Sequence, residues 1–292
     1  MIDILVRAKL GQTMEQSKMN IQDIQNVEQE ILDVIHNVCE AYHLRYSLAY
    51  GTLLGAVRHG GFIPWDDDID ILMPREDYEK LITVWDQAAP KGYLLQNVRT
   101  NPDFTQNFTK IRKDHTTFLQ DETERGKSYH KGVFVDIFPG DRVASSGLGR
   151  KLQFFACAVN LLYNRGHASG SGGLVGRVER ILLKTPKEKY APRREAAEKW
   201  IRRWNGNKSA LYVFPSTLEW SRKYYPADLF ENMRTIAFNG KTYQCVSDPD
   251  AILRMDYGDY MELPPEEERV WKHHPILIDF EHNYEELSQN RG

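Results

Sequence analysis

Residues 61–73 read GFIPWDDDIDILM, a stretch that joins a group of carboxylates to the start of a β-strand. Four aspartates fall within five positions: Asp66, Asp67, Asp68 and Asp70. If the strand already begins at Asp66, alternation puts Asp66, Asp68 and Asp70 on one face and the apolar side chains on the other. Alternate strand residues lie roughly 6.6 Å apart, so these carboxylates can converge on one or two divalent ions. Without a cation they would repel one another. An acidic, solvated turn is the alternative.

The composition is that of a globular protein without a nucleic-acid partner. The 292 residues give room for one large or two ordinary domains, and 41% of them are hydrophobic and 27% charged. Lys and Arg number 38 against 41 Asp and Glu, a net charge of −3. General nucleic-acid binding would call for a clear basic excess, so the charge argues against it.

Cysteine usage and hydropathy predict a cytoplasmic protein. The three cysteines, Cys39, Cys157 and Cys245, are far apart and sit in apolar sequence, which predicts buried, reduced thiols. The first twelve residues lack the features of a secretory signal. The longest apolar window, 152–163, is shorter than the about 20 residues that cross a bilayer. We expect no transmembrane segment, and a peripheral position at the inner membrane face would also fit.

The pattern of elements predicts an α+β fold. Residues 20–140 combine helices with strands of a mixed sheet, and residues 141–292 are mostly helical with one hairpin, packed on the core as one integrated unit. Helices are predicted at 22–43, 52–58, 75–87, 148–163, 174–183 and 191–205, with a further helix from Pro249 capped by Asp248. Strands are predicted at 45–50, up to Met73, and at 93–98, 108–112 and 132–138, with a hairpin at 235–246 around Asn239-Gly240.

Two further features accompany the aspartates. Gly51-Thr52 lies at a strand-to-helix turn about seventeen residues earlier, where small residues expose backbone N–H groups that can bind phosphate. Asp136 lies inside the apolar strand GVFVDIF, where its burial needs compensation. A cap or a salt bridge to a core arginine is the alternative for Asp136. A small-residue turn, an Asp-x-Asp strand and a later single Asp are the pattern of the nucleotidyltransferase fold, in which three acids hold two metals.

Three blocks carry a more specific resemblance. They are YGTLLGAVRHGGFIPWDDDIDILMPREDYEKL at 50–81, HKGVFVDIFPGD at 130–141 and LRMDYGDYMELPPEEERVWKHHP at 253–275. In this order they resemble the LicD family of phosphocholine transferases, to which the fukutin-type ribitol-phosphate transferases are related. The similarity extends over about residues 20–280. The segment 246–258 and the region 144–225 depart from the family pattern, which leaves donor contacts and acceptor choice open.

The resemblance implies a nucleotidyltransferase-like catalytic core at 20–140 and a reaction. The family moves a phospho-alcohol from a CDP-activated donor, typically CDP-choline, to a hydroxyl of a cell-surface glycan and releases CMP. That glycan is a teichoic acid, lipopolysaccharide or capsule precursor, in some cases lipid-linked. By this resemblance Asp68 and Asp70 form the metal pair, Asp66 is an additional ligand and Asp136 is the third acid. The implied ion is Mg²⁺, with Mn²⁺ as a substitute.

Basic and aromatic side chains near the blocks are the donor-binding candidates. A diphosphate needs positive charge around it, and Lys110 and Arg112 share one face of their strand, with Arg58 beside the core. A solvated edge strand is the alternative for that pair. A choline cation needs aromatic faces, for which Trp65 and the Tyr257 and Tyr260 pair are the candidates. His273-His274 is a poor pair for one ion, so a structural or acceptor-side use is expected.

Three other functions remain open from the sequence. A true nucleotidyltransferase would release pyrophosphate instead of CMP. A glycosyltransferase with an Asp-x-Asp motif would use similar metal chemistry on a nucleotide sugar. A non-catalytic nucleotide- or glycan-binding protein could be built on the same scaffold, although it would have no need to keep four carboxylates together.

Overall fold

A computed structural model describes residues 20–170, 172–206, 209–271, 273 and 275–289. The expectations about the amino-terminal segment and about His274 lie outside the described residues. The helices are α1 (Ile21–Tyr42), α2 (Tyr50–His59), α3 (Arg75–Ala88), α4 (Gly147–Arg165), α5 (Gly173–Leu182), α6 (Tyr190–Arg202), α7 (Asp228–Glu231), α8 (Pro249–Tyr257) and α9 (Tyr284–Gln289). The strands are β1 (Ser47–Leu48), β2 (Asp70–Pro74), β3 (Tyr93–Gln96), β4 (Thr109–Lys113), β5 (Thr117–Leu119), β6 (Phe134–Arg142), β7 (Leu211–Val213), β8 (Tyr225–Pro226), β9 (Arg234–Phe238), β10 (Lys241–Cys245) and β11 (Leu277–Asp279).

A mixed sheet with helices packed against it forms the centre of the fold, which confirms the predicted α+β class. Its strand order is β1-β2-β6-β4-β3, and β7 and β8 continue from the end of β6. Strands β2 and β6 are parallel and set Asp70 opposite Asp136, while β4 is antiparallel to β6 and sets Lys110 opposite Asp136. Three residues from three segments thereby meet at one place in the sheet.

Helix α1 shows how sequence periodicity becomes packing. Asn20 caps it by accepting a hydrogen bond from the Gln22 N–H, and His43 ends it in the left-handed conformation. Its apolar side chains recur at helical spacing and are fully buried in the core: Ile24, Ile31, Leu32 and Ile35. Each such side chain stabilises the fold by about 1.5–3 kcal/mol relative to exposure. The prediction of this helix is confirmed.

The acidic segment differs from its predicted form at its start. Strand β2 begins at Asp70 rather than Asp66, because the chain first makes a turn in which the Asp66 N–H donates to the Ile63 carbonyl. Similarly, the strand predicted at 45–50 is limited to β1, since Tyr50 already opens α2 with a positive φ of 44°. Alternation nevertheless persists before β2, since Asp67 and Ile69 are buried while Asp66 and Asp68 are less so.

The carboxy-terminal hairpin packs on the same core as the central sheet. Its Asn239-Gly240 turn has φ values of 48° and 80°, as a type I′ turn requires. The Val246 N–H donates to Ser47 Oγ, and Tyr243 Oη donates to Asp33 on α1. The hairpin and the α8 cap by Asp248 agree with prediction. The short pairs β5–β11 and β7–β8 were not predicted, because two or three residues give no periodicity.

The three cysteines are buried free thiols, as expected: Cys39, Cys157 and Cys245. Within the described part of the chain, no helix is both long and apolar enough to cross a membrane.

Candidate active site

A cavity of about 620 Å³ opens beside α2 and the acidic segment. Its walls come from one side of α2 between Tyr50 and Arg58, the segment around residues 63–70, the end of α8 with the loop that follows it, and His273. The lining residues include Gly51, Trp65, Asp66, Asp68, Asp70, Tyr257 and Tyr260. Five of the eight predicted donor-binding residues and three of the four predicted metal ligands line this cavity.

The start of α2 contacts the aspartates directly. A Cβ atom at Gly51 would overlap Oδ2 of Asp66, so glycine is required for this approach. The partial positive charge of a helix amino terminus favours a carboxylate there. The next residue, Thr52, is buried, and its Oγ1 accepts a hydrogen bond from the Asp70 N–H at 2.9 Å. Gly51 thus borders the cavity, while the buried Thr52 fixes β2 against α2 instead of facing a ligand.

Burial and the repulsion between neighbouring carboxylates raise the pKa values of Asp68 and Asp70. Burial raises the pKa of Asp70 well above its usual range, and the charges of Asp68, Asp136 and Asp66 raise it further. Burial also raises the pKa of Asp68; among the nearby charges, that of His273 opposes the shift and those of Asp67 and Asp136 add to it. Such a cluster is stabilised by any bound cation.

The donor chemistry of the cluster fits a hard divalent ion. Clustered carboxylate oxygens are the ligands that Mg²⁺ and Mn²⁺ prefer, and Asp67 Oδ2 is a buried oxygen without a hydrogen-bond partner. As arranged, however, no three Asp, Glu, His or Cys side chains of the described residues come close enough together to share one ion. Lys110 Nζ instead donates to both oxygens of Asp136, at 2.7 and 2.9 Å.

The two predicted donor-binding residues of β4, Lys110 and Arg112, have different surroundings. Both are buried, so the solvated edge strand considered for them is wrong. Lys110 lies on Asp136 and 3.3 Å from the centroid of the Phe134 ring, and burial lowers its pKa while Asp136 opposes that shift. Arg112 donates to Gln96 Oε1 and to the Gly132 carbonyl and is 1% exposed. Neither residue lines the cavity, and the predicted phosphate clamp is not assembled, because Arg112 is bound within the sheet.

The three aromatic candidates, Trp65, Tyr257 and Tyr260, line the same cavity as the aspartates, and we call their rings the aromatic wall. Trp65 packs edge-on against His59, and the Arg269 guanidinium lies 5.8 Å from its ring. Tyr260 Oη donates to Asp250 at 2.8 Å, and the side chain is only 7% exposed. Arg58 Nη1 donates to the Tyr260 carbonyl, so this cation also ties α2 to the loop after α8.

Sequence reasoning missed Glu28 and gave Asp67 no role, although both belong to the buried side of the cluster. Glu28 on α1 is 2% exposed, its Oε2 has no hydrogen-bond partner, and burial together with the nearby aspartates raises its pKa well above the usual range. Asp67 Oδ1 accepts from His273 Nδ1 at 2.7 Å, and Nε2 of this histidine lies 4.0 Å from Asp68 Oδ2. A glutamate within the apolar stripe of α1 was the available signal for Glu28.

The pKa values of several groups in the cluster are all raised on folding, and this predicts how the stability of the protein depends on pH. Glu28, Asp68 and Asp70 have folded pKa values above those of the unfolded chain, and the pKa of His273 is also raised, chiefly by its hydrogen bond to Asp67. The folded state therefore binds protons more tightly, so this contribution to stability grows as the pH falls through the folded values. It is complete below about pH 4, where the unfolded carboxyls are also protonated.

We therefore expect the metal-free protein to melt several degrees higher at about pH 5.5 than at about pH 8. Thermal unfolding in EDTA at both pH values measures this. The Glu28→Gln variant is the control, since it should lose part of the pH dependence. A melting temperature that falls on acidification, equally in both proteins, would contradict the assignment of the shifts.

Comparison with known proteins agrees with this geometry. The family described as LicD/FKTN/FKRP, nucleotidyltransferase domain, matches residues 43–148. Lipopolysaccharide cholinephosphotransferase LicD of Haemophilus influenzae is 30% identical over 268 residues, which are 88% of this chain and 97% of that protein. Ribitol 5-phosphate transferase FKRP of Homo sapiens is 55% identical over 40 residues, 14% of this chain and 8% of FKRP. An uncharacterized protein of Rickettsia prowazekii, RP689, is 37% identical over 70 residues, 24% of this chain and 26% of that protein.

The matched family region contains α2, β2 and β6, which bring the aspartates together, and the similarity to the Haemophilus protein spans nearly all of that relative. The chain therefore belongs to the LicD family.

Proposed function

We propose that the protein transfers phosphocholine, or a related phospho-alcohol, from a CDP-activated donor to a hydroxyl of a cell-surface glycan and releases CMP. The observation that carries the proposal is one cavity lined both by three aspartates, Asp66, Asp68 and Asp70, and by the aromatic wall. Such a cavity suits a ligand with a diphosphate at one end and an organic cation at the other. The names of the LicD and FKRP relatives support this class of reaction.

A divalent metal ion, Mg²⁺ or Mn²⁺, would be held by Asp66, Asp68, Asp70 and Asp136. When bound, it would neutralise the donor diphosphate, whose negative charge otherwise repels an incoming hydroxyl. The chain's own part is to position the carboxylates: Gly51 lets Asp66 lie against α2, and the Thr52 hydroxyl holds the backbone of Asp70. Release of Asp136 from Lys110 would free that carboxylate for the ion and Lys110 for a phosphate oxygen.

The aromatic wall would bind the alcohol of the donor. A quaternary ammonium cannot donate hydrogen bonds, so its binding depends on ring faces. Trp65 and Tyr257 are partly exposed in the cavity, and the hydroxyl of Tyr260 is already bonded to Asp250. Arg58 and His273, which also line the cavity, are the candidates for contacts to the nucleotide phosphates and to the acceptor hydroxyl.

The proposed acceptor is a glycan, in a lipid-linked form or free, and the proposed location is the cytoplasm or the inner membrane face. A cytoplasmic enzyme would meet both its CDP-activated donor and membrane-bound glycan precursors there.

A donor panel tests the proposed reaction. The protein is incubated with CDP-choline or CDP-ribitol, with Mg²⁺, Mn²⁺ or EDTA, and with or without a glycan acceptor that lacks phosphocholine. We expect CMP release that requires the metal and increases with acceptor. Formation of pyrophosphate from CTP and a phospho-alcohol would favour the nucleotidyltransferase instead. Binding of a CDP-alcohol without turnover under any of these conditions would favour a non-catalytic binding protein.

The Trp65→Ala substitution tests the aromatic wall. A cation over an aromatic ring gains about 0.5–2 kcal/mol, so we expect the KM for CDP-choline to rise about 2- to 30-fold. The KM for CDP-ribitol, an uncharged alcohol, should change less and is the internal control. Equal losses with both donors would show that Trp65 acts by packing and not by contact with a cation.

A further inference from the structure

A second surface, distant in sequence from the aspartates, exposes an unusual amount of apolar area. We define the apolar face as the exposed large side chains of α4, α5 and α6: Leu148, Leu152, Phe155, Leu174, Val175, Val178, Ile181 and Trp200. A groove of about 370 Å³ runs between α4 and α6 and reaches the end of α5 at Leu182. Contiguous exposed apolar surface of this kind marks a site of interaction with a membrane or another protein.

Helix α5 packs in the opposite sense to an ordinary surface helix. The sides of the helix that face the protein carry Gly176 and Glu179, both buried, and the Glu179 carboxylate accepts hydrogen bonds from Arg165 and Ser169. Its apolar residues recur at i, i+4 and i+7 and point away from the protein, with Leu174 77% and Ile181 63% exposed. In an ordinary surface helix the apolar stripe faces the protein. In α5 the polar side faces the protein and the apolar stripe is exposed, which indicates that a binding partner covers the stripe.

The charge around the apolar face selects its partner. Residues 147–206 contain thirteen lysines and arginines against four glutamates, an excess of nine positive charges in a chain whose net charge is −3. Arg177 and Arg180 alternate with the apolar residues of α5, Lys151 on α4 precedes Leu152, and Lys199 on α6 precedes Trp200; all four are exposed. Apolar side chains bordered by Lys and Arg, with Trp and Phe among them, are the features of helices that lie in an anionic membrane interface.

We propose that the apolar face docks the protein on the surface of a membrane that contains anionic lipid, with α5 inserted along its length at the level of the headgroups. The positive charge distinguishes this partner from a second copy of the chain, because pairing two such faces would bring together the lysines and arginines that border each of them. The proposal depends on this surface alone and holds whichever donor the enzyme uses.

Vesicle co-sedimentation tests the docking. The full chain is mixed with vesicles of phosphatidylcholine alone or with phosphatidylglycerol added. We expect binding to the mixed vesicles that weakens with salt, and little binding to the neutral ones. The Arg177→Gln/Arg180→Gln variant should bind about 25-fold more weakly, about fivefold per charge. The Leu174→Asn/Ile181→Asn variant should also lose binding, and because both side chains are exposed it should fold normally.

Three further measurements distinguish membrane docking by the apolar face from unspecific vesicle binding and from loss of the fold. Leu94→Glu, which changes an exposed leucine of β3 outside the apolar face, should bind vesicles like the unaltered protein.

Brominated lipids should quench tryptophan fluorescence in the unaltered protein, and Trp200→Phe should remove most of that quenching. CMP release with a soluble acceptor should be unchanged in the α5 variants. Binding that the α5 variants leave unaltered would overturn the proposal, as would a dimer that the Leu174→Asn/Ile181→Asn variant dissociates.

Discussion

The Asp70→Asn variant is expected to lose transfer activity by several orders of magnitude while its metal-free form melts higher than the unaltered protein. Asparagine keeps the size of the side chain and removes one charge from the cluster, so the cation loses a ligand. The same change removes a buried carboxylate whose pKa is raised by burial and by three neighbouring aspartates, so repulsion in the folded state falls. Activity is measured as CMP release at saturating Mg²⁺, and stability by thermal unfolding in EDTA.

The predicted loss of activity together with a higher melting temperature distinguishes a metal ligand from a residue that supports the fold. A residue that only supports the fold would lose activity and stability together. Asp86→Asn is the matched control, because Asp86 is an exposed aspartate of α3, and its stability should change by no more than about 0.5 kcal/mol. Full activity in Asp70→Asn, or in the corresponding Asp68→Asn variant, would remove the metal assignment.

The Asp136→Asn variant is expected to lose most activity and also to lose stability. Lys110 is buried and donates to both oxygens of Asp136, so this substitution leaves an ammonium group inside the protein without its partner. Breaking a buried pair in this way costs about 3–5 kcal/mol. Urea unfolding measures the loss, and Asp136→Asn should therefore shift stability in the opposite direction to Asp70→Asn, although the two residues are neighbours in the sheet.

A double variant separates the two roles of Asp136. In Lys110→Met/Asp136→Asn the buried charge is gone as well as its partner, so we expect much of the stability to return while activity stays low. Metal affinity, measured by Mn²⁺ titration, should be reduced in both variants. If the folded fraction of Asp136→Asn turns over normally, Asp136 is a core salt-bridge residue and the third metal ligand is wrong.

Local patterns predicted the part of the site that depends on neighbouring residues. The alternation at residues 66–70 predicted which aspartates share a side, and Asp66, Asp68 and Asp70 do line one cavity although β2 starts four residues late. The small residues at 51–52 predicted a strand-to-helix turn that binds phosphate; the turn is present, Gly51 lies against the Asp66 carboxylate, and Thr52 is buried. At both places the prediction depends only on residues close in sequence: on the two-residue alternation of a strand at 66–70, and on the missing side chain of glycine at Gly51.

Contacts between distant segments could not be predicted in the same way. The pairing of Lys110 with Asp136 and the placement of Asp136 beside Asp70 both follow from strand register, which no local pattern sets. Helix α5 was predicted at nearly its observed bounds, but periodicity gives only the angle between its faces and not which face turns inward. Glu28 was overlooked because a single acid on an apolar helix face has no local partner to reveal its role.

The most direct measurement is phosphorus NMR of CDP-choline incubated with Mg²⁺, a glycan acceptor that lacks phosphocholine, and either the unaltered protein or Asp70→Asn. We expect the diphosphate signals of the donor to decay only with the unaltered protein and to be replaced by equal amounts of a phosphomonoester, CMP, and a phosphodiester on the glycan. Decay of the donor at the same rate with Asp70→Asn, or a stable donor with the unaltered protein and every CDP-alcohol offered, would contradict this expectation.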